Sequence, residues 1–287
     1  MTKYLFLQAL KQSLKYILLI ISFFFVITSC DRFNKLLKSS DYELKLKRAE
    51  EYYKKENYIK AEQLYSELIP IFKGSEKAEE IYYYFSYCNF YMGDYLLAQY
   101  HFKNFTRQFP VSKHTEECFF MNAYCYYISS PYYSLDQTDT KNAVKEFQAF
   151  ADEYPESSRI DTCNKMIDKL RYKLEHKDYD QIKQYFDLAD YFNDYKAVIT
   201  SSKNFIKEFP DSRYVEEIHY LIIDSYYLMA IKSVPSKKVE RLDGAIENYL
   251  KFVDLYPKSE YLGRAENVYS SCLKEKEDIL KKQKNGF

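Results

Sequence analysis

Five times along the chain an aromatic residue is followed three positions later by serine: Phe72–Ser75, Phe109–Ser112, Tyr154–Ser157, Phe209–Ser212 and Tyr256–Ser259. In four of the five a proline follows the aromatic directly, as in RQFPVSKHTEE, DEYPESSRID, EFPDSRYVEE and DLYPKSEYLGRAE, while PIFKGSEKAEE keeps the frame without it. Proline cannot continue a helix, and serine is suited to begin one. The segment is therefore a joint, and its return at intervals of 37, 45, 55 and 47 residues makes the chain a repeat.

The residues ahead of each joint say what is repeated. Eleven positions before the aromatic stands a small residue or valine (Ala61, Ala98, Ala143, Val198, Ala245). Four further on come Tyr65, Phe102, Phe147, Ser202 and Tyr249, and seven further on Leu68, Phe105, Phe150, Phe205 and Phe252. Offsets of 0, 4, 7 and 11 lie on one face of a helix, so that face needs cover. The cover is a preceding helix rich in Tyr and Ala, joined through turns at Glu56-Asn57, Gly93-Asp94 and Asn193-Asp194. The small residue lets two helices approach closely while aromatics fill the groove between one pair and the next.

The expected domain plan is a solenoid over residues 40–284, with helix pairs at about 40–74, 75–111, 112–156, 157–211 and 212–258 and a closing helix at 259–282. Insertions are expected between the helices of the third unit, SSPYYSLDQTDTKNA (Ser129 to Ala143), and of the fifth, KSVPSKKVERLDGA (Lys232 to Ala245). In the fourth unit, Cys163 to Glu175 and Tyr179 to Phe192 read as two helices with Lys177-Asp178 between them.

Composition fits an all-α chain: 47% apolar residues can build a continuous core, and 5 Gly with 7 Pro are too few for a loop-rich β protein. Residues 1–29 hold Lys3, Lys11 and Lys15 and no acid, leaving 39 basic against 42 acidic side chains. No basic stripe is present, so nucleic acid is a poor candidate partner. Without Cys30, five cysteines remain (Cys88, Cys118, Cys125, Cys163, Cys272), an odd number with no CxxC pair, expected as small core residues. The four histidines are scattered through different repeats, and no metal site is expected. Neither a Ser-His-Asp set nor a Gly-rich phosphate loop occurs, so no catalytic residues and no enzymatic activity are expected.

At the N-terminus three lysines precede the apolar run YILLIISFFFVI, Tyr16 to Ile27. This is the charged and apolar pattern of a secretory signal, short for a membrane span. Ile27-Thr28-Ser29-Cys30 follows. It resembles the lipobox of bacterial lipoproteins, which implies cleavage of residues 1–29, a lipidated linker at 30–39, and covalent diacylglycerol and N-acyl lipid on Cys30 as the sole attached group. An uncleaved anchor with an incidental cysteine is the alternative.

A helix pair with small-residue anchors and a terminal Pro resembles the tetratricopeptide repeat, whose period is about 34 residues. The first helices lack the Trp and Leu-Gly of that motif, and every interval here exceeds its period. The resemblance implies a right-handed α-α superhelix of about five hairpins. With Cys30, the opening FNKLLKSSDYELKLKRAEEYYKKENYIKAEQLY, the loop SPYYSLDQTDT and the run LADYFNDYKAVITSSKNFIKEFPDSRYVEEIHYLIIDSYYLMA, the chain resembles the BamD family of outer-membrane assembly lipoproteins, in its Bacteroidetes-type form. That resemblance implies a non-enzymatic subunit of the BAM complex, lipid-anchored in the outer membrane on the periplasmic side. Its implied partners are BamA, other BAM subunits and the C-terminal segments of unfolded outer-membrane proteins. The residues expected to receive such clients are Tyr52, Tyr53, Tyr84, Tyr87 and Tyr91. For BamA the candidates are Lys203, Lys207 and Arg213, and the loop residues Tyr133, Asp136, Gln137 and Asp139 are a third interaction surface, with Asp136 also placed to cap the following helix. The competing reading is another envelope adaptor built from the same repeats and serving cell-wall or polysaccharide machinery.

Overall fold

The computed structural model describes residues 32–285. The leader 1–29 and Cys30 lie outside the described residues. Every regular element among the described residues is a helix. The chain divides into two compact units, one made of residues up to Ser129 with Lys145–Ile160, the other of Ser130–Val144 with Asp161 onward.

The first unit holds α1 (residues 32–37), α2 (Tyr42–Lys54), α3 (Tyr58–Ile71), α4 (Ala78–Tyr91), α5 (Tyr95–Gln108) and α6 (Thr115–Ser129), with the second half of α7 (Thr138–Glu153). Hairpin turns follow α2 and α4. Each needs a residue at positive φ, supplied by Gly93 (φ 84) after α4 and by Glu56 (φ 59) after α2. Asn57 starts α3 by accepting the Lys60 N–H (3.4 Å).

The second unit holds the first half of α7, then α8 (Ile160–Phe192), α9 (Tyr195–Glu208), α10 (Val215–Ile231), α11 (Pro235–Leu255) and α12 (Leu262–Asn285). Asn193 (φ 53) makes the turn between α8 and α9, and Asp194 caps α9 through the Ala197 N–H (3.2 Å).

The periodic face is buried as its spacing requires. Ala61, Ala98, Ala143, Val198 and Ala245 are wholly covered, as are Phe102, Phe105, Phe147, Phe150 and Phe252. Burying one such Phe stabilises by about 2–3 kcal/mol, against about 0–1 kcal/mol for an exposed ion pair such as Lys77–Glu43. Packing of this face therefore outweighs the surface charges in holding the hairpins. All five remaining cysteines are buried, with burial pushing the Cys88, Cys125 and Cys272 thiols up to about 12.

The joints show what the serine does. The Phe109 N–H donates to Phe105 O (2.9 Å), Ser112 N–H to Phe109 O (3.1 Å) and Thr115 N–H to Ser112 O (3.1 Å). Ser112 Oγ accepts the His114 N–H (3.0 Å), and the same turn recurs at Ser157, Ser212 and Ser259. The serine thus caps a linking turn just ahead of the next helix. In the first unit its hydroxyl also reaches the previous repeat, Ser112 to Glu79 Oε1 (2.5 Å) and Ser157 to Glu116 Oε1 (2.6 Å). In the joint that lacks the terminal proline, α3 still ends at Ile71, and Gly74 (φ 81) lies in the turn that follows.

Two expectations are corrected. The fourth unit does not break at Lys177-Asp178: α8 runs unbroken for 33 residues, because neither residue carries the ring or the free φ that stops a helix. The stretch from Lys232 to Ala245 is not a loop. Pro235 sits in the first turn of α11, where its missing N–H costs nothing, and the helix absorbs the rest.

Candidate functional site

A strip of tyrosines crosses the first unit. On α4, Tyr84, Tyr87 and Tyr91 stand at i, i+3 and i+7 and share a face. Tyr53 of α2 lies 4.8 Å from Tyr84, 5.5 Å from Tyr58 and 6.3 Å from Tyr91, centroid to centroid. Tyr91 stacks on Tyr58 (4.7 Å, 21°) and on Tyr87 (5.7 Å), while Tyr84 stacks on Tyr65 (6.0 Å). Tyr53 and Tyr84 are half-buried and Tyr91 is 49% exposed. At the outer end Tyr58, Ile59, Tyr91 and Met92 line a cleft between the two hairpin turns, edged by Glu56 and Asp94. Burial raises the Tyr53 and Tyr84 hydroxyls, so both stay neutral donors in the physiological range. Flat apolar rings with neutral hydroxyl tips suit an extended, aromatic-bearing peptide.

Two of the five expected client residues stand apart. Tyr87 is 7% exposed, and its hydroxyl donates to Glu117 Oε1 (2.6 Å). It belongs to the frame between repeats, because a tyrosine facing the next first helix finds a carboxylate there. Tyr52 points to another side of α2, one residue and about 100° from Tyr53. It meets Phe33 edge-on (5.6 Å) beneath the Lys60 ammonium (5.4 Å).

In the second unit the three expected partner residues do not converge on one pocket. Lys203 lies over the Tyr226 ring (5.3 Å), donates to its hydroxyl (3.1 Å) and lines a cleft with Lys196 and Arg241. Arg213 stacks on Tyr172 (4.7 Å) and Tyr214 (5.0 Å), in a separate cleft with Arg171 and Asp211. Lys207 is exposed in the last turn of α9, where a cation complements the helix dipole.

The loop ahead of α7 is pinned, and only part of it faces outward. Gln137 is 4% exposed: its Nε2 donates to Tyr132 O (2.9 Å) and Leu135 O (3.1 Å), and its Oε1 accepts from Thr140 (2.7 Å). It holds the loop together and is no contact residue, because a buried amide must satisfy its own donors and acceptor. Asp136 Oδ1 accepts the Thr138 N–H (2.9 Å) just ahead of α7, and the hydrogen bonds from Thr138 hold its carboxyl below the usual range. Tyr133 packs on His176 (4.3 Å), and its hydroxyl is pushed up to about 12, chiefly by its bond to Asp180. Asp139 lies in the first turn of α7.

Sequence reasoning missed the groups that fasten these surfaces. Lys173 spends its ammonium on Ser130 Oγ (2.7 Å) and Pro131 O (2.8 Å), and burial lowers its pKa. Glu217 accepts from Tyr179 (2.7 Å) and Lys183 (2.8 Å) within the second unit, as Glu117 accepts from Tyr87 and Tyr83 in the first. The position was visible, since both acids stand five residues after a joint serine, but the tyrosines that face them come from the preceding repeat and no local spacing marks the pairing.

Among the described residues no helix is long and apolar enough to cross a membrane. Solved structures of similar arrangement include the P58(IPK) tetratricopeptide domain, 12% identical over 87% of this chain and 68% of that one, with a TM-score of 0.39. Another is the TPR2AB domain of yeast Sti1 in complex with pHSP90, 12% identical over 81% of this chain and 98% of that one, with a TM-score of 0.36. Among curated proteins no relative matches. The family model YfiO, outer membrane lipoprotein, matches residues 41–193, more than half of the 287. The chain therefore belongs to the YfiO family of outer membrane lipoproteins.

Proposed function

We propose that this lipoprotein is a non-enzymatic subunit of the outer-membrane β-barrel assembly complex, acylated at Cys30 and facing the periplasm. It binds BamA and receives the C-terminal segments of unfolded barrel proteins to promote their insertion. The observation that carries the client role is the strip Tyr53–Tyr84–Tyr91 with Tyr58, partly exposed and continuous with the cleft at Ile59 and Met92. An extended segment ending in an aromatic residue presents rings on alternate positions and a free backbone between them, which such a strip matches with ring faces and hydroxyls. Arg213 and Lys203, each held on tyrosine rings, are the pre-oriented cations offered to BamA.

A photo-crosslinking residue placed at Tyr91 tests the client role. It is expected to capture peptides carrying the aromatic C-terminus of a barrel protein, and not the same peptides with that terminus removed. Equal capture of both would overturn the assignment of the strip.

A further inference from the structure

Four cations line one cleft of the first unit: Arg32 and Lys35 from α1, Arg48 from α2 and Lys55 just after it, with Tyr52 among them. Among the described residues the wall carries one carboxylate, Glu51, held by Arg48 at 2.5 Å. The cleft encloses about 500 Å³. In a chain with 42 basic and 42 acidic side chains this is a local excess of positive charge; the neighbouring cleft at Tyr58 and Tyr91 sets Lys55 against Glu56 and Asp94.

These cations are not on a loose tail. Phe33 is 7% exposed in the core of the unit and packs on Tyr52. Lys45, itself 3% exposed, donates to Leu37 O at the end of α1 (2.7 Å) and to Glu67 (2.5 Å). The helix carrying Arg32 and Lys35 is thereby clamped to α2 and α3.

Arg32 follows Cys30 by two residues, a span of at most about 7 Å. We infer that the cleft binds the phosphate of an anionic phospholipid headgroup beside the acyl anchor and so orients the first unit on the leaflet. This rests on the reading that Cys30 carries the anchor. Tethered so closely, the cleft lies within about one Debye length, 8–10 Å, of the headgroups, where basic side chains are attracted to an anionic surface.

Native mass spectrometry of the full protein, matured in its own envelope and purified in detergent, tests both points separately. The mass of the N-terminal peptide reports the anchor, and titration with phosphatidylglycerol or phosphatidylcholine reports the cleft. Phosphatidylglycerol adducts are expected and phosphatidylcholine adducts are not. The triple variant R32Q/R48Q/K55Q is expected to weaken phosphatidylglycerol binding about a hundredfold, roughly fivefold per cation. Substituting Lys251, Lys258 and Lys274 by Gln is expected to leave it unchanged. If the triple variant loses its native circular dichroism, Arg32→Gln alone is read, for a loss of about fivefold. Acylated protein that takes up both lipids equally, or whose folded cleft variants bind like the parent, overturns the inference. So does displacement of the lipid by inorganic phosphate at matched ionic strength, which would make this a site for free anions. Absence of the acyl mass overturns the anchor reading instead.

Discussion

Two tyrosines in the first unit are buried alike but differ in what their hydroxyls meet. Tyr65 is wholly covered and its hydroxyl has no hydrogen-bond partner among the described residues, whereas the Tyr87 hydroxyl donates to the Glu117 carboxylate at 2.6 Å. Replacing each by Phe keeps the ring and removes one oxygen. For Tyr65 this relieves a desolvated hydroxyl, expected to stabilise by about 1 kcal/mol. For Tyr87 it removes a hydrogen bond to a charged group, worth about 1.5–3 kcal/mol. Glu117 keeps the Tyr83 hydroxyl at 3.1 Å, which places the loss toward 2 kcal/mol. At about 3–5 °C per kcal/mol for a unit of about 115 described residues, thermal melts should move up about 3–5 °C for Tyr65→Phe and down about 6–10 °C for Tyr87→Phe. Client-peptide affinity should stay unchanged in both, and fall in Tyr91→Ala, whose ring is half exposed. A Tyr87→Phe protein that melts like the parent but binds peptide less well would refute the separation of frame from binding strip.

Other consequences follow from single positions. An ideal Cβ on Gly244 would lie 2.7 Å from the Tyr226 ring that Lys203 rests on, so Gly244→Ala should destabilise by about 1–2 kcal/mol in urea titration despite the better helix former, whereas Gly263→Ala, open on all sides, should stabilise by about 0.5–1 kcal/mol. Glu56 holds φ 59 at a hairpin turn, and Glu56→Gly should gain up to about 1 kcal/mol by the same titration. Burial lowers the pKa of His101 and His219, so each favours its neutral form when folded. Their contribution is complete above the unfolded value near 6.5 and is lost as pH falls below it; His101→Phe with His219→Phe should flatten melting temperature against pH between about 6.5 and 5.

The hairpins were legible because offsets of 0, 4, 7 and 11 and the joint repeat report local geometry directly. Ala98, Phe102 and Phe105 needed no partner to be recognised as core. Features that depend on what lies across from a residue were not legible. Tyr52 and Tyr53 are neighbours in sequence, yet the one packs on Phe33 and the other on Tyr84. Gln137 in a polar loop looked exposed and is buried by contacts with that loop's own carbonyls. The fourth unit misled for a different reason: Lys177-Asp178 is a polar pair, half-buried in the middle of α8, and polarity alone does not end a helix.

The most direct measurement is affinity purification of the protein from detergent-solubilised membranes, with the partners identified by mass. BamA is expected among them, together with loss of assembled outer-membrane barrels when this protein is depleted. Recovery of cell-wall or polysaccharide enzymes without BamA, and unaltered barrel levels on depletion, would contradict the account.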